Sequence, residues 1–254
     1  MRNFFVLIVA IILFSVMAAA QDPGLRDSLI FGNLDNSPII IGSGQEAAVP
    51  VWIKYDDSIL FIHLPMATDD DYIESRNGGE SFVSIECWEE QVFLPPDTNS
   101  PQAGYTSQGL MTWNDWNDLA CPPPTYIWVH VIDFWVTASS DTAALGEITY
   151  AIEGYSPRNG DVIFGLPDGV SEFEPRIRNG PLRLYLSGDV NESHDVNGLD
   201  VTYLVNYLKG TGPPPEILIS GDVNGSCGMN GIDIVYLVNY LRQDCSAPVY
   251  GECQ

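Results

Sequence analysis

The sequence predicts an all-β sandwich followed by a small all-α module, and three observations carry that prediction. From residue 29 to about residue 186, short apolar runs alternate with period two between Pro, Gly and Asn turns, the pattern of half-buried strands. After residue 187 the apolar period becomes that of helices. At the same boundary a duplicated segment begins, its copies offset by 33 residues, and such self-similarity marks a repeated structural unit.

The chain precedes this pattern with an export segment. Arg2 supplies a positive flank, Phe4 to Val16 a short apolar run, and Ala18-Ala19-Ala20 a small-residue cleavage site, so residues 1–20 are expected to be a signal peptide. No later stretch approaches the ~20 apolar residues of a membrane-spanning helix. The expected location is therefore secreted, extracellular or cell surface, with no membrane insertion. The 254 residues carry 34 Asp+Glu against 10 Lys+Arg, a net charge of −24, yet 45% are hydrophobic. That excludes a disordered acidic tail and makes nucleic acid a poor partner, because the surface repels phosphate. Carboxylates are also the ligands that a hard cation such as calcium selects. Export permits disulfides. Cys87–Cys121 is a plausible pair; Cys227, Cys245 and Cys253 compete near the C-terminus, with Cys227–Cys245 preferred.

Within the expected sandwich, residues 21–186, Val49, Val51, Ile53 and Tyr55 alternate with Ala48, Pro50, Trp52 and Lys54. Leu60 to Leu64, Phe82 to Trp88, Tyr126 to Thr137, Glu147 to Ile152 and Phe173 to Leu186 read the same way. Gly42-Ser43-Gly44, Asp69-Asp70-Asp71, Asn77-Gly78-Gly79, Pro95-Pro96, Pro122-Pro123-Pro124 and Asn159-Gly160 read as turns. Trp128 to Val136 is apolar on both faces, as a central strand would be.

In the repeat, Gly188-Asp189-Val190-Asn191 recurs as Gly221-Asp222-Val223-Asn224, and Tyr203 to Leu208 as Tyr236 to Leu241. Each copy places oxygen side chains at loop positions 1, 3, 5, 9 and 12 and then enters a helix, the arrangement by which a twelve-residue loop wraps calcium. The first set is Asp189, Asn191, Ser193, Asn197 and Asp200, with Asp195 at position 7, where a backbone carbonyl serves. The second is Asp222, Asn224, Ser226, Asn230 and Asp233, with Gly228 at position 7. Two calcium ions are thus expected. Position 6, glycine in an EF-hand, is His194 and Cys227 here, and position 12 is Asp where an EF-hand has Glu. After each loop, Val201, Leu204, Val205 and Leu208, matched by Ile234, Leu237, Val238 and Leu241, form an apolar stripe expected to pack the repeats together. Tyr203, Tyr207, Tyr236 and Tyr240 lie off it, as interface residues or as helix-flank packing. Gly210 to Pro215 stops the first helix and forms a stiff spacer.

Residues 188–242 resemble a type I dockerin, with duplicated D-x-N loops, N-G-x-D helix starts and Leu/Val/Tyr helices. The resemblance implies a calcium-folded module, spanning residues 187–244 and followed by a tail at 245–254, that docks onto a cohesin-like module of another protein. It also implies that the loop residues named above are the metal ligands. Loop positions 10 and 11, frequently a Ser/Thr pair in the family, are Gly198-Leu199 and Gly231-Ile232, so a more apolar contact through Leu199 and Ile232 is expected. The region before residue 187 resembles, more loosely, a cohesin-like or carbohydrate-binding-like β-domain, through Asp27 to Phe31, Val49 to Tyr55 and Gly146 to Tyr150.

No catalytic constellation stands out, so no enzyme activity is expected. The pairs Glu89-Glu90 and Asp56-Asp57 have the composition of a glycosidase dyad, and Trp88, Trp113 and Trp116 are able to stack on sugars or to cover the core. The expected function is a secreted, calcium-binding assembly component. Two alternatives stand beside it: a filament subunit whose module docks on the sandwich of another copy of itself, and a polysaccharide-binding or polysaccharide-degrading component.

Overall fold

The computed structural model describes residues 27–250 apart from 57–58, 60, 70–72, 76–80, 83–87, 98–104, 115–124, 141–144, 149–151, 154, 157–159 and 167–171. The expected signal peptide, Asp57, Cys87, Trp116, Cys121 and Cys253 lie outside the described residues, as do the side chains of Trp88, Glu89, Glu90 and Trp113.

Alternation decides the first sheet. In the strand Glu46–Tyr55, Val49, Val51, Ile53 and Tyr55 are buried while Pro50, Trp52 and Lys54 are half-buried on the other face. This strand pairs antiparallel with Thr125–Ala138, Val49 opposite Phe134 and Val51 opposite Ile132. Around that pair the sheet runs Arg176–Asn179, Ser28–Phe31, Glu46–Tyr55, Thr125–Ala138, Ile73–Ser75, with Ser81–Phe82 also on the Thr125–Ala138 strand. The doubly apolar run around Trp128 to Val136 is therefore a central strand, as its composition predicts.

A second sheet runs Glu172–Phe173, Ile163–Gly165, Phe61–Asp69, Tyr105–Asn114, Trp88–Asp97, with Ile152–Glu153 on Phe61–Asp69. One core joins the two: Leu29, Phe31, Val51, Ile53, Ile132 and Phe134 from the first sheet meet Ile62, Leu64, Phe164 and Phe173 from the second. Two mainly antiparallel layers, the first with one parallel pair between Ser28–Phe31 and Arg176–Asn179, enclose one apolar interior and make a β-sandwich. Phe31 and Phe134 pack with ring centroids 6.4 Å apart.

Two expectations need correction. Pro95-Pro96 is no turn but lies inside Trp88–Asp97, where the register shifts between Leu94 and Asp97. That strand is at the sheet's edge, the place where a residue without an N–H is tolerated. The single run expected from Phe173 to Leu186 is three strands, Glu172–Phe173, Arg176–Asn179 and Leu182–Tyr185. Pro175 and Pro181 break it. Between them Gly180 donates to the Phe31 carbonyl at 2.6 Å, so close that a Cβ at Gly180 would stand 2.7 Å from that oxygen.

The last strand leads to the functional region. Leu182–Tyr185 pairs parallel with Ile39–Gly42 and antiparallel with Gly146–Ile148 in a small third sheet. Three residues later the chain enters the first repeat loop. Because Phe134 is only 1% exposed at the centre of the core, Phe134→Ala should destabilise the sandwich by about 3–5 kcal/mol. Urea unfolding followed by tryptophan fluorescence measures this; a loss below ~1 kcal/mol contradicts the placement.

Candidate metal centre

Gly188 leads into the first loop, and its N–H donates to the Ser220 carbonyl at 2.8 Å. Asp189 is 5% exposed; its Oδ1 accepts from the Ser193 N–H at 2.9 Å and its Oδ2 from the His194 N–H at 2.8 Å. The same Ser193 N–H reaches Asn191 Oδ1 at 3.0 Å. Ser193 Oγ donates to the Asp195 carbonyl at 3.1 Å, and Asn197 Nδ2 reaches that carbonyl at 3.4 Å. Side chains from positions 1, 3, 5 and 9 and the position-7 carbonyl therefore share one small region.

Asp200 closes the loop from the helix side. Fully buried, it accepts at Oδ1 from the N–H groups of Val190 (2.9 Å) and Asn191 (3.2 Å), and at Oδ2 from Asn197 N–H (2.8 Å). Asn197 is the N-cap of helix α1 (Gly198–Leu208) and forms a capping box with Asp200, which satisfies donors that a helix start leaves open.

The second loop repeats most of these contacts. Asp222 Oδ1 accepts from Ser226 N–H at 3.0 Å and Oδ2 from Cys227 N–H at 2.8 Å. Ser226 Oγ and Asn230 Nδ2 reach the Gly228 carbonyl at 3.4 and 2.8 Å. Asp233, also fully buried, accepts from Asn224 N–H at 3.4 Å and Asn230 N–H at 2.8 Å. Asn230 caps helix α2 (Gly231–Leu241) with the same capping box.

Position 6 is left-handed in both loops even without glycine: His194 has φ 69° and Cys227 φ 65°. That turn aims each N–H at the second oxygen of the position-1 aspartate, and the backbone path survives the missing glycine at a conformational cost.

The donor set suits a hard cation. Each loop offers two carboxylates, an asparagine, a serine and a carbonyl, all oxygens, as calcium selects. Asn224 Oδ1 is buried and has no hydrogen-bond partner, an arrangement that costs about 1–3 kcal/mol unless something accepts its lone pairs. At position 9 the side-chain oxygens of Asn197 and Asn230 cap Leu199 N–H and Ile232 N–H at 2.8 and 2.9 Å; a role through water fits that geometry. Burial pushes the Asp200 carboxyl above the ordinary aspartate value; backbone amides pull it partly back, and the Asp189 charge adds to the rise. Asp233 is raised in the same way, with Asp222 as the neighbouring charge.

The helices hold the loops together. Leu204 and Leu237 are fully buried, and each lies beneath the opposite loop. A Cβ at Gly188 would stand 3.3 Å from Leu237 Cδ1, and one at Gly221 would stand 3.4 Å from Leu204 Cδ1. Val201, Val205 and Ile234 are half-buried, but the ends of the expected stripe are more open than predicted, with Leu208, Val238 and Leu241 at 37%, 36% and 38% exposed. All four tyrosines are half-buried. Tyr203 donates to the Pro214 carbonyl at 3.2 Å, and Tyr236 bonds Ser246 Oγ at 2.9 Å, so these two pin the segment after each helix. Leu199 and Ile232 are each 66% exposed, with Val235, unremarked in the sequence, at 58%. Cys245 is a free thiol, its Sγ directed to the Tyr236 carbonyl at 3.6 Å, so the expected Cys227–Cys245 bond does not form.

These features, a duplicated oxygen-lined loop with a capped helix behind it, coincide with a known family. Residues 187–242 match the family model of the dockerin type I domain. No curated protein matches the chain. Solved structures with similarity to it include a type II cohesin from Bacteroides cellulosolvens, at 9% identity and TM-score 0.44, covering 63% of this chain and 99% of that one. A type I cohesin–dockerin complex from Clostridium thermocellum aligns at 11% identity and TM-score 0.42, with 63% and 99% covered. The sixth cohesin of scaffoldin B from Acetivibrio cellulolyticus, solved with a dockerin mutant, aligns at 15% identity and TM-score 0.40, again with 63% and 99% covered.

Two outcomes follow for the dockerin-type segment. Replacing the left-handed histidine, His194→Gly, should stabilise it by about 0.5–1 kcal/mol, read as a higher urea midpoint of the helical circular dichroism; a lower midpoint refutes the strain argument. The raised carboxyls Asp200 and Asp233 contribute stability that is present below the unfolded-state pKa and lost as pH rises through the folded value. In chelator, the helical transition should therefore move to lower temperature as pH is raised from about 4 to 7. A rise over that window contradicts it.

Proposed function

We propose that calcium orders residues 187–242 into a docking element, and that the protein is a secreted, non-catalytic component that joins an extracellular assembly through a cohesin-type module of another protein. The observation that carries this reading is the duplication itself. Both loops gather the same serine and asparagine side chains around the position-7 carbonyl, and both close on a buried aspartate at a helix start. The two calcium ions would be held by Asp189, Asn191, Ser193, the Asp195 carbonyl and Asp200, and by Asp222, Asn224, Ser226, the Gly228 carbonyl and Asp233, with Asn197 and Asn230 acting through water. Cation binding offsets the repulsion between the two carboxylates of each loop and stabilises the folded form by mass action, about 4 kcal/mol when free calcium is a thousand times Kd.

The partner surface follows from exposure. Leu199, Ile232 and Val235 are apolar side chains left largely uncovered on the outer sides of α1 and α2, where the family more often presents hydroxyls. An apolar, aromatic-poor contact of this kind fits an apolar sheet face on the partner.

Two measurements test the reading. Chelation should weaken the helical circular dichroism of residues 187–242 and lower its melting temperature while the β-signal persists, and the calcium-loaded transition should strengthen as pH rises, opposite to the metal-free one, because protons compete for the ligands. An unchanged helical signal in chelator rejects calcium-dependent folding. For docking, a panel of purified cohesin modules is run against the mature chain in size-exclusion chromatography with calcium. Leu199→Asp with Ile232→Asp should abolish the complex and leave calcium binding intact; a complex insensitive to both places the contact elsewhere.

A further inference from the structure

The two loops share seven of twelve residues, and among their differences position 4 is the one where only the first loop puts a non-glycine residue in a left-handed turn. The fourth residue of the first loop is Glu192 at φ 57°, where the second loop has Gly225 at φ 68°. A glutamate in the left-handed region costs about 1–2 kcal/mol that glycine avoids, and such residues persist where the surroundings hold them. Here the surroundings are Arg183, on the strand Leu182–Tyr185. Its Nη2 donates to Glu192 Oε1 and Oε2 at 3.1 and 3.0 Å, and its Nη1 donates to Glu216 Oε1 at 3.0 Å. The guanidinium is 14% exposed and the Glu192 side chain 35%, so water screens the pair only in part.

The neighbouring surfaces agree. Arg183, Glu192, Asp189 and His194 line one cavity of about 70 Å³ together with Leu145 and Gly146 of the strand-built part. Glu216, the second carboxylate on Arg183, lies 33 residues after it in the chain, which is the repeat offset. The position that carries the arginine before the first loop therefore carries its partner before the second.

We propose that Arg183 is a positioning residue for the first metal loop: by holding Glu192 in its left-handed turn, it couples cation binding by Asp189 to Asp200 to the seating of the repeat on the sandwich, a contact that the second loop, with Gly225 at the equivalent turn, lacks. The proposal rests on the calcium reading above. It makes the two loops thermodynamically unequal, because only the first carries a side chain bonded to Arg183.

Calorimetric calcium titration of the full chain tests it. Arg183→Gln should weaken one of the two binding steps by about three- to tenfold, the scale of a partly exposed charge pair, and leave the other unchanged. Glu192→Gln should do the same, and the double variant should lose no more than either single one, because both remove one interaction. Arg183→Lys, which keeps the charge with fewer donors, should fall between. Arg242→Gln, which removes a separate pair with Asp244 at 3.2 Å, should leave both steps unchanged. Two intact steps that ignore Arg183→Gln, equal weakening of both steps, or additive losses at 183 and 192 would each overturn the proposal. A wild-type chain that binds no calcium overturns the calcium reading and this proposal together.

Discussion

Asp200 and Asp233 are fully buried carboxylates, and the helical part of the molecule is organised around them. Each accepts the N–H of its own N-cap asparagine and reaches back to backbone amides at the start of its loop. One side chain thereby sets where the helix begins and how the loop curls. A buried anion with a like charge beside it is expensive in the absence of a counter-charge. The fold accepts that expense twice, at equivalent places, and a divalent cation is the natural compensation.

Much of this site was legible from residue spacing. D-x-N-x-S followed by N-G-x-D states both the loop and its cap, since Asn and Asp favour turns and N-caps for the same reason: a short side chain able to bond its own backbone. The left-handed turns at His194 and Cys227 were less visible, because side-chain type alone argues against φ near +65° and the hydrogen bonds to Asp189 and Asp222 that accompany it form only once the loop has curled. The tyrosines were ambiguous for a related reason. Periodicity places Tyr203 and Tyr236 off the apolar stripe but says nothing about the carbonyl and hydroxyl that the spacer and the tail bring to them.

In the sandwich, alternation identified Glu46–Tyr55 and the long Thr125–Ala138 strand, where burial on one or both faces leaves a clear pattern. It failed where edge position overrides composition. Pro95 and Pro96 signal a turn in most contexts, yet an edge strand has no partner waiting for their missing N–H groups. Tyr105–Asn114, rich in Thr, Ser and Gly, carries too few apolar residues to announce itself, although it pairs with strands on both sides.

The crossed placement of two leucines has a further meaning. Leu237 lies beneath the head of the first loop and Leu204 beneath the head of the second, so neither half contains its own floor. A lone 33-residue half would bury its leucine only against a sister copy, in a two-fold pair held by the same contact. The tandem arrangement is such a pair joined covalently, and Gly210 to Pro215 is the tether that keeps the two halves at high mutual concentration.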